Sequence, residues 1–236
     1  MAEFLLIHGS CHGAWCWRDV VPALQDSGHG VRAIDLPGHG DDTTPPDQVT
    51  LEAWADTILA AIESPVVLVG HSMAGFAIAA AAEKAPEKIA RLVFLCAYLP
   101  RDGVSLVEMR RAAPYQPLMH AIVKSADGKS FTIRDDCLRE VFYHDCPEDT
   151  LAFARSRLCA QIIAPQATEI RLGAAFDSVA KSCVVCTDDR TIPPEYQRQM
   201  SAGLDRRDVV EMDCAHSPFF ADPEGVARHL HNMAAT

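Results

Sequence analysis

A serine, an aspartate and a histidine, in that order along one chain, can carry out acyl transfer when a fold brings them together. The serine stands at the centre of Gly70-His71-Ser72-Met73-Ala74-Gly75. The apolar run Pro65-Val66-Val67-Leu68-Val69 precedes it, and the Ala-rich stretch 76–84 follows. Strand, tight turn, helix is the setting that holds a serine up as a nucleophile at the carboxyl end of a sheet. The helix N-terminus behind it offers N–H groups and a positive dipole end to a developing oxyanion. Small residues flank the serine because strand and helix approach closely there. Gly70 meets that need; Ala74 stands where the stricter pattern has glycine, and Gly75 follows.

A serine hydroxyl is a poor nucleophile without a base. Downstream of Ser72 lie His120, His144, His216, His229 and His231. Only His216 sits in a loop between a final strand-like run, 209–213, and a last helical stretch, which makes it the expected base. The acid is expected after the penultimate strand run, where Val184-Val185-Cys186-Thr187 ends at Asp188-Asp189. Both are loop carboxylates in a suitable place, and spacing does not choose between them. Asp213 also ends a strand run, but only three residues before His216. The loop after the first strand run, His8-Gly9-Ser10-Cys11-His12-Gly13, should supply a second oxyanion donor, the Ser10 amide, beside that of Met73. His8 and His12 lack a carboxylate or cysteine at ligand spacing. They are read as braces for this loop, with His12 at the pocket rim, and no metal site is expected.

The elements that must position these groups alternate along the chain. Residues 4–8, 31–36, 66–70, 92–96, 183–187 and 209–213 are short apolar runs, several rich in valine. Unbroken runs suit a parallel sheet covered on both faces. Helical stretches near 15–27, 51–63, 73–84, 194–202 and 223–231 lie between and after them, which gives a doubly wound α/β sheet. Residues 101–180 break the rhythm. They are helical in tone, at 105–111, 135–143 and 148–159, with a small hairpin turn at Asp127-Gly128-Lys129-Ser130 before Phe131-Thr132-Ile133. The expected layout is one domain. Its core is 1–100 with 181–236, and 101–180 form a lid over the strand ends where ligands bind.

The net charge of -11, from 21 basic and 32 acidic residues in a chain of 236, argues against nucleic acid or an anionic membrane surface as partner. No signal peptide or bilayer-spanning apolar run is read. The odd count of nine cysteines, scattered along the chain, suits a reduced cytoplasmic protein. Cys183 and Cys186 lie in a strand run and read as core thiols. Nothing sets the oligomeric state, and a homodimer is compatible with the sequence.

The same residues resemble the α/β-hydrolase superfamily, over nearly the whole chain. The branch they resemble holds plant methyl-ester esterases, plant hydroxynitrile lyases and small bacterial esterases, including pyrethroid hydrolases. The likeness is carried by residues 8–17, 28–36, 94–100, Cys186-Thr187-Asp188-Asp189-Arg190-Thr191-Ile192-Pro193 and Ala215-His216-Ser217-Pro218-Phe219-Phe220. In that branch the second acidic residue of the Asp188-Asp189 segment is the triad acid, which implies Asp189. Its lyases carry a lysine just after the histidine, where this chain has Ser217, so the resemblance implies ester hydrolysis. The implied enzyme is a cofactor-free serine hydrolase of small, largely apolar carboxylic esters. The alternatives are a lyase of the same branch and a slow-turnover ligand receptor of the same fold. The lid matches least and is expected to set substrate choice. Tyr98, Phe219, Phe142 and Tyr143 are expected pocket walls, and Leu106, Met109 and Phe153 are further lid residues that could face the substrate.

Overall fold

A computed structural model describes residues 1–235. Strands β1 (Glu3–Ile7), β2 (Gly30–Ile34), β3 (Val66–His71), β4 (Ile89–Leu95), β8 (Lys181–Cys186) and β9 (Val209–Met212) form one sheet in the order β2-β1-β3-β4-β8-β9. Every neighbouring pair is parallel. Successive strand side chains point to opposite faces, so an unbroken apolar run feeds two cores. Leu5, Ile7, Leu68 and Phe94 pack on one face with helices α2 (Leu51–Ala60) and α3 (Ala74–Lys84). Phe4, Leu6, Val69 and Val93 pack on the other with α1 (Val20–Asp26) and α11 (Pro223–Ala234). The 15–27 stretch divides into a short 3-10 turn, Ala14–Trp17, and α1. No helix among the described residues is long and apolar enough to cross a membrane.

The chain steps from β1 outward to β2, then back across β1 to β3. The loops leaving the carboxyl ends of β1 and β3 therefore part, and a crevice opens between them.

Between β4 and β8 the chain forms α4 (Leu106–Ala112), β5 (Ile122–Lys124), β6 (Ser130–Ile133), α5 (Leu138–Phe142), α6 (Glu148–Arg155), β7 (Gln161–Ile162), α7 (Ala164–Ala167) and α8 (Ala174–Ser178). The segment is more than helical: β5, β6 and β7 make a small antiparallel sheet with β6 at its centre. Gly128, at φ 70°, closes the turn joining β5 to β6, and the Asp127 carboxylate accepts from the Lys129 amide at 3.1 Å.

This segment is tied to the loop after β1. The buried Gln161 side chain accepts from the Cys11 amide at 3.3 Å, and its Oε1 lies 3.0 Å from His39 Nε2. Gln166 donates to Ser10 Oγ at 2.9 Å, and the Cys159 amide donates to the Cys11 carbonyl at 2.9 Å.

Candidate active site

Ser72 sits between β3 and α3 with φ 54°, one of three non-glycine residues in the left-handed region among the described residues. Such a conformation costs on the order of 1–3 kcal/mol and persists only where surrounding contacts enforce it. Here the Ser72 amide donates to the Leu95 carbonyl at 3.2 Å, and the Ser72 carbonyl accepts from the amides of Gly75 and Tyr98, each at 3.2 Å. The close approach that demands glycine falls at Gly75: a Cβ there would stand 1.9 Å from the Tyr98 carbonyl oxygen.

The turn brings three of the expected residues into one hydrogen-bonded chain. Ser72 Oγ lies 3.0 Å from His216 Nε2, and His216 Nδ1 lies 2.7 Å from Asp189 Oδ2. All three side chains are buried. With Nδ1–H donating to the carboxylate, Nε2 is free to accept the serine proton. The acid is held in turn: Asp189 Oδ1 accepts from the amides of Thr191 and Ile192 at 2.7 and 2.9 Å, and Oδ2 accepts from Gln197 Nε2 at 2.8 Å. Asp188 points the other way, half-exposed, to His144 at 2.9 Å and Arg190 at 3.8 Å.

A narrow cleft opens over Ser72, and Ser10, His12, Met73, Tyr98, Phe142 and His216 line it. Phe142 stacks on the His216 ring at 5.7 Å between centroids. Leu106, Leu118 and Phe131 add apolar wall, and Arg110, Gln166 and Thr191 add polar groups. Phe219 is a correction. It is fully buried behind the cleft, against Trp17, His12 and His71, because α10 (Pro218–Ala221) turns it into the core. Of the further residues of 101–180 expected to face the substrate, Met109 lines a separate cavity with Tyr196, and Phe153 lies beneath the guanidinium groups of Arg18 and Arg157. Tyr143 is fully buried and bonded to His12.

The histidines of the first loop are committed to structure. His8 Nδ1–H donates to the Gly9 carbonyl at 2.9 Å, and its Nε2 accepts from the Leu36 amide at 3.1 Å. His12 Nδ1–H donates to the Ser10 carbonyl at 2.7 Å, and its Nε2 accepts from the Tyr143 hydroxyl at 2.6 Å. No nitrogen of either ring is left for a metal.

Sequence reasoning missed His71 and Gln197. His71 Nε2–H donates to the His216 carbonyl at 2.8 Å and so fixes the backbone of the base. Its place beside Ser72 was visible, but its partner is 145 residues away. Burial, reinforced by the neighbouring histidines, pushes His71 well below the ordinary histidine range. Burial pushes His8 down likewise and His12 down to about 4. These three rings are neutral near pH ~7.

The geometry can be set beside known proteins. A family model described as the alpha/beta hydrolase family matches residues 4–229. Methylesterase 2 of Arabidopsis thaliana is 32% identical over 253 aligned residues, covering 98% of this chain and 95% of that protein. Esterase PIR7B of Oryza sativa subsp. japonica is 33% identical, covering 89% of this chain and 87% of its own. The crystal structure of a pyrethroid hydrolase from Sphingobium faniae JZ-2 superposes with a TM-score of 0.86 at 27% identity, covering 100% of this chain and 98% of that one.

Proposed function

The chain belongs to the alpha/beta hydrolase family and is a carboxylic ester hydrolase, and on that premise we propose that Ser72, His216 and Asp189 carry the reaction. The observation behind this is the continuous hydrogen-bonded chain from Ser72 Oγ through His216 to Asp189, beneath an accessible cleft. Ser72 Oγ attacks the ester carbonyl while His216 Nε2 takes its proton. Asp189 orients the ring and stabilises the imidazolium that forms. The amides of Ser10 and Met73, at the ends of β1 and β3, receive the oxyanion. His216 then protonates the leaving alcohol, and water, activated by the same nitrogen, cleaves the acyl-enzyme. No cofactor enters these steps.

The apolar and aromatic walls support small esters with largely apolar bodies. Ser217 is fully buried and supplies no cation beside His216, which disfavours the lyase alternative. Nine unpaired cysteines suit the reducing cytoplasm. Turnover of para-nitrophenyl acetate with a burst of para-nitrophenol separates a hydrolase from a receptor. Cyanide release from mandelonitrile without ester turnover would overturn the reading.

The pH profile provides a second check. His216 acts as base only when neutral, so kcat/KM falls as the pH drops and the ring takes a proton. His8, His12 and His71 are held neutral by burial and add no step near neutrality. A single rising limb followed by a plateau is the expected form of the profile. A flat profile would exclude a histidine base.

A further inference from the structure

Arg110 is a cation at the catalytic cleft with no counter-ion. It extends from α4 into the lining of the cleft that holds Ser72. Its Nε is buried without a hydrogen-bond partner. Among the described residues no carboxylate lies within ion-pair distance of it, and the titratable groups that act on it are Tyr98 and Arg111. Arginine rarely gives up its charge, and a buried donor left unpaired costs free energy. An arginine so placed is therefore matched to a partner that arrives.

A second cavity shares Arg110, Phe131 and Gln166 with the cleft and adds Arg111 and Lys124. No aspartate or glutamate lines either cavity, although the chain carries a net charge of -11. Glu108, on the same helix, is engaged in capping α4, accepting from the Ser105 amide at 2.8 Å and its hydroxyl at 2.6 Å. The cleft over Ser72 and the cavity beside it are thus basic in an acidic protein.

We propose that the preferred ester carries a second, ionised carboxylate, which Arg110 binds in the cleft while Arg111 and Lys124 attract it. The substrate class is half-esters of dicarboxylic acids. The planar guanidinium fork matches a carboxylate in geometry, and a cleft lined by one sign of charge raises the local concentration of the opposite ion. The proposal rests on the ester-hydrolase reading given above.

The test compares para-nitrophenyl hexanoate with the mono-para-nitrophenyl ester of adipic acid, two acyl chains of equal length that differ in the terminal carboxylate. The native protein should favour the half-ester in kcat/KM by about tenfold or more, the scale of one charge-assisted hydrogen bond. Added salt should erode that preference without affecting the neutral ester in the same way. Arg110→Gln should bring the ratio close to one, and Arg110→Lys should restore part of it. The salt response needs no variant, so a poorly folding Arg110→Gln leaves the proposal testable. Equal rates on both esters at low salt, or a ratio unmoved by Arg110→Gln, would overturn it while leaving the esterase reading intact. Failure to hydrolyse either ester would instead overturn the esterase reading itself.

Discussion

Ser72→Ala is expected to lower kcat for ester hydrolysis by about 10⁶-fold, the scale found when the serine of such a triad is removed. The fold should survive. The substitution deletes one oxygen and its 3.0 Å contact with His216, and the Cβ that already occupies the left-handed backbone remains. Thermal unfolding should therefore shift little against the loss of rate. A fluorophosphonate probe should add its mass to the peptide containing Ser72 and to no other. Substantial activity in the alanine variant, or labelling at another serine, would remove Ser72 from the mechanism.

Asp189→Asn should lower kcat by roughly 10⁴-fold, because an amide holds the imidazole in the wrong tautomer and offers no negative charge to the imidazolium. The effect should be confined to this one of two adjacent aspartates. Asp189 is buried, 2.7 Å from His216 Nδ1, and pinned by two amides and Gln197. Asp188 faces outward to His144 and Arg190, and exposed ion pairs of that kind contribute little. Asp188→Asn should thus change kcat by less than about tenfold. Parallel steady-state kinetics of the two variants decide the matter, and a reversed order of effects would assign the role to Asp188.

What the sequence disclosed was local. The valine-rich runs of β3 and β8 are buried on both faces, so their composition alone announces a parallel sheet. The turn at Ser72 is legible because strand, turn and helix are contiguous. His216 is legible because it follows the last strand. The choice of Asp189 over Asp188 was not local: it came from a resemblance, since which carboxylate turns inward depends on α9 (Pro194–Ser201) presenting Gln197 to it. The partners joined across the chain were silent. Gln161 and Gln166 meet the first loop across 150 and 156 residues, and no spacing marks them. The turn of the β5–β6 hairpin was legible at Asp127-Gly128, but the third strand of that sheet escaped because β7 is two residues long, too short to display a period. Phe219 misled because an aromatic beside a catalytic-looking histidine has the same composition whether it faces substrate or core.

The ties from Gln161, Gln166, Cys159 and Tyr143 to the loop of Ser10, Cys11 and His12 join the roof of the cleft to its floor. A flap that swings away would have to break these bonds and expose a buried glutamine. Roof and floor thus behave as one body. An enzyme built this way has nothing for an oil–water boundary to open. Its rate should saturate smoothly with dissolved ester and show no jump when the ester begins to form micelles, unlike a lipase whose lid waits for a surface.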